Sequence, residues 1–218
     1  LHETPVPCVE QAADHAVFLF HATAEQPYMT FPHAFTLRIA FALEEDGLHQ
    51  RINVTNDSTQ NMPFALGFHT TFALPFVQGG RVEDVRLKLG VAEEIVRNMD
   101  TFLPTGEVIA ASPLRQALLQ GTLQPCMHTI SRHFAMDASR EMRLTDAVRG
   151  VQLIYRAQPP YAYWMLYNGG RKDLLCVEPQ TWVNNCPNAP FDREKTGFQF
   201  LTPGESRTYE TQLTLTTC

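Results

Sequence analysis

Phe35-Thr36-Leu37-Arg38-Ile39-Ala40-Phe41-Ala42-Leu43 alternates large apolar side chains with polar or small ones, and Glu44-Glu45-Asp46-Gly47 follows directly. Leu48, Gln50, Ile52 and Val54 resume the alternation until Asn56-Asp57-Ser58 breaks it. A period of two sends successive side chains to opposite faces of an extended chain, so residues 35 to 56 are predicted to form a β-hairpin with one apolar face.

The same reading extends in both directions. Val17 to His21 is predicted as a short strand, and Pro27 to Pro32 as a connection whose prolines supply no ladder donors. Residues 62 to 76 read as a strand interrupted near Gly67, where a missing side chain permits a bulge or the close approach of a ligand. Gly79-Gly80 and Leu103-Pro104-Thr105-Gly106 read as turns. Residues 112 to 120 carry the one helical signal. Short strands are predicted at 127 to 136, 141 to 146, 150 to 156, 161 to 168 and 173 to 178, with a turn at Asn168-Gly169-Gly170. The tail alternates again through Arg207, Tyr209, Thr211, Leu213 and Leu215 after Pro203-Gly204. Many short strands with frequent turns imply an all-β protein, a large antiparallel β-sandwich. With no repeat, low-complexity stretch or linker, residues 1–218 are expected to form a single domain, a size at which all-β sandwiches commonly stay whole.

Composition narrows the partners. A net charge of −6, with 44% apolar and 18% charged residues, leaves no electrostatic footprint for nucleic acid or anionic lipid. A neutral, polar small molecule fits better. No window approaches the roughly 20 apolar residues a bilayer crossing needs, and the amino terminus lacks the order of a signal peptide, so a cytoplasmic address is expected. Cys8, Cys126, Cys176, Cys186 and Cys218 are odd in number and dispersed, unlike a disulfide framework or zinc knuckle, and Cys176 and Cys186 are read as reduced and structural. The dispersed histidines have no metal-ligand spacing.

Two segments carry the candidate chemistry. Leu174-Leu175-Cys176-Val177-Glu178-Pro179-Gln180-Thr181-Trp182 ends a strand-like run on one carboxylate ahead of a loop, and Met62-Pro63-Phe64-Ala65-Leu66-Gly67-Phe68-His69 ends another on one imidazole. Two such groups facing one cleft can move protons, since a carboxylate is ionised at neutral pH while histidine holds or releases a proton close to it. Other constellations fall away. Gly79-Gly80 lacks the lysine and hydroxyl of a phosphate-cradling loop, and no serine sits in a hydrolase elbow. Glu93 and Glu94 read as a solvated charged pair rather than a glycosidase couple.

Assembled in order, these segments resemble the aldose 1-epimerase family, also called galactose mutarotases. The resemblance rests on Pro32-His33-Ala34-Phe35, Asn56, Pro63-Phe64-Ala65-Leu66-Gly67-Phe68-His69, Pro104-Thr105-Gly106, Cys176-Val177-Glu178-Pro179-Gln180-Thr181 and Pro187-Asn188, and spans most of the chain. It implies the mutarotase super-sandwich, here without its N-terminal strands, and interconversion of α and β anomers of a free hexose with neither cofactor nor metal. Glu178 would take the anomeric hydroxyl proton and His69 would protonate the ring oxygen. Among aromatic side chains able to stack on a sugar ring, Phe68, Tyr163 and Trp182, the last ranks first because it follows Glu178 by four residues.

The chain departs from the family pattern in two places. A His-Gly motif carrying a second catalytic histidine, and an arginine upstream of it, do not occur, while Leu1-His2-Glu3-Thr4-Pro5 looks like the stretch just after that motif, which places the histidine before Leu1. Ser131 stands where the family has a sugar-binding aspartate, which passes the binding role to Arg132 or His133. The expected protein is thus an isomerase of a small-molecule hexose, monomer or homodimer. A hexose 6-phosphate mutarotase, with Arg132 and Arg171 on the phosphate, and a catalytically silent sugar-binding sandwich are the alternatives.

Overall fold

A computed structural model describes residues 4–218. In chain order the first strands are β1 (Cys8–Gln11), β2 (His15–Ala22), β3 (Phe35–Glu44), β4 (Gly47–Asn56), β5 (Met62–Pro63) and β6 (Thr71–Ala73). Next come β7 (Val85–Leu89), β8 (Val91–Arg97), β9 (Pro104–Ile109), the helix α1 (Pro113–Gln120), β10 (Ser131–Met136) and β11 (Glu141–Asp146). The last are β12 (Val151–Ala157), β13 (Tyr163–Tyr167), β14 (Leu174–Gln180), β15 (Phe200–Leu201) and β16 (Ser206–Thr217). The pairings described here between neighbouring strands are antiparallel, and the protein is all-β as expected. No described helix is long and apolar enough to cross a membrane.

The described chain forms two compact units: residues up to Phe64 with Gln199–Leu213, and Ala65–Phe198 with Thr214–Cys218. In the first, the hairpin closes in the predicted register, Phe35 opposite Asn56 and Glu44 opposite Gly47, with β2 flanking β3 and β16 flanking β4. Phe35 and Leu37 are buried, while Leu43 near the turn is exposed. Phe20, Tyr28 and Phe31 gather on Phe35 with ring centroids 5.8 to 6.4 Å away. Asn56 has a structural task. Fully buried, it donates through Nδ2 to the carbonyls of Gln60 and Leu201 and accepts from the Ser58 amide, satisfying backbone groups where the hairpin ends.

In the second unit a six-stranded sheet runs β6-β14-β13-β10-β8-β9. β7, β11 and β12 pair beside one another, aligning the buried pairs Met142 with Leu89 and Leu144 with Leu87. Tyr155 of β12 joins the two layers: its ring lies 5.9 Å from Phe72 and 6.0 Å from Trp164, and its hydroxyl is 2.8 Å from Thr70 Oγ1.

Two expectations are corrected and a third is met. Residues 62 to 76 give only the short β5 and β6, because residues 66–70 hydrogen-bond irregularly alongside Val177–Thr181 instead of forming a ladder. The turn expected at Leu103–Gly106 lies earlier: Asn98 Oδ1 accepts from the amides of Asp100 and Thr101, Phe102 takes a φ of 59°, and Pro104 already begins β9. The helical signal at residues 112 to 120 is met by α1, Pro113–Gln120, capped by Ser112 Oγ accepting from the Arg115 amide and ended by Gly121 at a φ of 70°.

Candidate functional site

Glu178 lies inside β14, two residues before its end, and not in a solvated loop. Alternation along that strand puts Cys176, Glu178 and Gln180 on one face, with Leu175, Val177 and Pro179 on the other. Opposed residues on antiparallel strands share a face, so the register builds a row across four strands: Glu178, Met165, His133 and Ile95. A second row sets Thr71, Cys176, Tyr167 and Ser131 side by side.

His69 reaches this face through backbone bonds that bracket Glu178. The Phe68 amide donates to the carbonyl of Pro179, and the Val177 amide donates to the carbonyl of Thr70, each about 3 Å long. Pro179 has no amide proton, so its place in the strand serves the partner through its carbonyl alone. Gly67 permits the close pass: a Cβ there would sit 3.3 Å from Gln180 Cγ. The result is a 3.2 Å contact between His69 Nε2 and Glu178 Oε1. Thr71 Oγ1 lies 3.3 Å from both His69 Nδ1 and Cys176 Sγ.

Burial raises the Glu178 carboxyl above its ordinary value, against the pull of His69, a hydrogen bond from Gln180 and the charge of Arg97. Arg97 was not anticipated. It follows Ile95 by two residues on the same face, and its Nη2 donates to Ser131 Oγ at 2.9 Å. In the sequence it closes an ordinary strand, and only the register between β8 and β10 brings it beside Ser131. Gln180 was not singled out either, although its spacing of two from Glu178 places it on the same strand face.

The other candidates divide. His133 shares the Glu178 face but is fully buried against Tyr163, both ring nitrogens lack a hydrogen-bond partner, and burial together with Arg97 lowers its pKa to about 3. Arg132 points to the opposite face, where its Nε is 3.2 Å from Glu94 Oε1. There it borders a cavity of about 360 Å³ with Leu114, Leu123 and His128. Glu94 is therefore no solvated carboxylate: it is buried, and burial raises its pKa against Arg132 and Arg97. Arg171 is held at the surface by both oxygens of Asp173. Trp182 is half-buried beyond β14 and stacks on Phe198, whose ring also carries the Arg193 guanidinium at 4.8 Å. Phe68 is half-buried beside His69. His2 lies outside the described residues. All five cysteines are free, with Cys126, Cys176 and Cys186 buried.

A carboxylate and an imidazole 3.2 Å apart, one largely buried and the other open to solvent, are groups that can exchange protons with a bound small molecule. The aldose 1-epimerase family model matches residues 6–214. A galactose mutarotase-like protein from Clostridium acetobutylicum is 29% identical with a TM-score of 0.88, over 96% of this chain and 65% of that one. The fold recurs in a galactose mutarotase-like protein from Lactobacillus casei (21% identity, TM-score 0.71, 97% of this chain and 73% of that one). It recurs also in an aldose epimerase homologue from C. elegans (18% identity, TM-score 0.73, 97% and 68%). The chain thus spans under two thirds of the Clostridium protein's length, and across nearly all of its own it belongs to the aldose 1-epimerase family.

Proposed function

We propose that this chain is an aldose 1-epimerase acting on a free hexose, with Glu178 as base and His69 as acid. The observation that carries the reading is the 3.2 Å contact between these two groups, drawn from distant segments onto one face of the sheet. Ring opening requires a proton to leave the anomeric hydroxyl while another arrives at the ring oxygen. Both oxygens are bonded to the same carbon, so acid and base must stand close together. Glu178 is fixed by its strand, whereas His69 sits on the irregular segment and is mostly exposed, open to a sugar from the solvent side. Proton removal by Glu178, protonation by His69, rotation about the exposed carbon bond and reversal of both transfers yield the other anomer.

Ser131, Arg97 and Gln180 are polar groups on that face available to sugar hydroxyls, with Met165 between Glu178 and His133 as an apolar floor. The two arginines first considered for a phosphate are engaged elsewhere, Arg132 by Glu94 and Arg171 by Asp173, which favours the unphosphorylated sugar. Saturation-transfer NMR on glucose and galactose tests the reading. Accelerated anomer exchange is expected; sugar binding without acceleration would leave a silent carbohydrate-binding protein, and a preference for the 6-phosphate would reverse the substrate assignment.

A further inference from the structure

We infer that His69, Cys176 and Glu178 form a binding site for a borderline-soft divalent cation, zinc foremost, and that the bound ion silences the acid–base pair. The site itself rests on ligand geometry alone; its inhibitory effect rests on the function proposed above.

One ligand atom from each residue, a ring nitrogen, the thiol sulfur and a carboxylate oxygen, lies within 4.8 Å of the other two. Tetrahedral zinc with bonds of about 2.0 to 2.3 Å places its ligands about 3.3 to 3.8 Å apart, so closure takes roughly an ångström of movement. The His69–Glu178 separation is already 3.2 Å. Cys176 and Glu178 are fixed two residues apart on one face of β14, and the mostly exposed His69 can supply the remaining adjustment. Nitrogen, sulfur and oxygen together select zinc or a similar ion over calcium or magnesium, which take oxygen ligands.

The surroundings complete the site. With His69 Nε2 on the metal, Nδ1 faces Thr71 Oγ1 at 3.3 Å, the outer hydrogen bond that orients a ligating imidazole. Three protein ligands leave a fourth position for water. On binding, the Cys176 thiol loses its proton to solvent and becomes the thiolate ligand, while the Glu178 carboxylate and His69 nitrogen lone pairs are taken up by the ion. Neither then exchanges a proton with sugar.

Zinc titration against a chromophoric chelator, with cobalt as the spectroscopic substitute, tests the proposal. One tight equivalent and a near-ultraviolet sulfur-to-cobalt absorption are expected. Cys176→Ser should abolish that band and weaken zinc by about tenfold or more, and His69→Gln, at a mostly exposed position, should weaken it comparably without unfolding the protein. His49→Ala, in the exposed Glu44, Asp46 and His49 cluster, serves as control and should change neither readout. No tight zinc binding, or a cobalt band that survives Cys176→Ser, overturns the site. In an active enzyme, saturating zinc that leaves anomer exchange unchanged overturns the inhibition. A protein that binds zinc through Cys176 but accelerates no anomer exchange would sink the proposed function and leave the metal site standing.

Discussion

His69 Nε2 meets Glu178 Oε1 at 3.2 Å although their side chains are 66% and 12% exposed, so a solvent-facing imidazole touches a largely buried carboxylate. Replacing Glu178 by Gln keeps shape and polarity but removes the base. Anomer exchange is expected to fall by about 10²- to 10⁴-fold with sugar binding retained, and His69→Asn to fall similarly. Saturation-transfer NMR and a binding isotherm measure the two quantities; an unchanged rate in Glu178→Gln would remove Glu178 from the chemistry.

Burial raises the Glu178 pKa, and the sign of its effects follows. A base works ionised, so the rate should rise with pH along an acid limb whose midpoint lies above the ordinary 4.5, in buffer containing a chelator. A raised carboxyl pKa favours the folded state while protonated, a contribution present below the unfolded value and lost as pH rises through the folded one. Glu178→Gln should therefore gain melting temperature relative to the parent at neutral pH but not below pH 4.5. A pH-independent difference between the two proteins would contradict the assignment.

His133 acts with the opposite sign. Its pKa falls from 6.5 to about 3 in the folded protein, because the charged ring would be buried without a partner and near Arg97. The unfolded chain therefore binds a proton that the native state refuses, and stability is lost as pH drops from 6.5 towards 3. His133→Phe should flatten the acid limb of a urea-unfolding series by up to about one proton. An acid limb as steep as the parent's would show that His133 does not set it.

Arg97 and Arg132 separate binding from stability. Arg97→Met removes the donor to Ser131 on the Glu178 face and is expected to raise the KM for hexose by roughly tenfold, a loss of about 1.4 kcal/mol. Arg132→Met should leave KM near its parent value while costing about 1 to 3 kcal/mol of stability, since buried Glu94 loses its partner. Steady-state kinetics beside chemical denaturation distinguish the two; the reverse pattern would mean that Arg132 serves the sugar.

Gly197 holds the segment after Trp182 against the sheet. Its φ is +72°, and a Cβ would fall 2.3 Å from the Thr181 carbonyl and 3.2 Å from the Tyr163 ring. Gly197→Ala is expected to destabilise by about 1 to 3 kcal/mol and to loosen the 3.0 Å bond from the Tyr163 hydroxyl to the Lys195 carbonyl. Thermal unfolding and hydrogen exchange at Val183, whose amide donates to the Thr196 carbonyl, would report it.

The β-hairpin at residues 35–56, the helix after Ser112 and the strands around Tyr163 and Leu174 were legible because alternation, caps and turn residues act locally. The turn before β9 was misplaced because Pro104 and Gly106 carry the usual turn residues, yet Asn98 binds two amides and closes the chain sooner. Glu94 was misread for a related cause: a charged pair in sequence says nothing of which face each strand residue occupies.

Local chemistry in the sequence thus fixed the all-β character and marked Glu178 and His69 by residue type and motif. Pairing between distant strands decided the rest. Register moved Arg132 to the far face, put Arg97 beside Ser131, sealed His133 away from water and set Cys176 next to the acid–base pair. A one-residue change of register turns a side chain to the opposite face, and that register is set by the whole sheet rather than by any residue's neighbours in the chain.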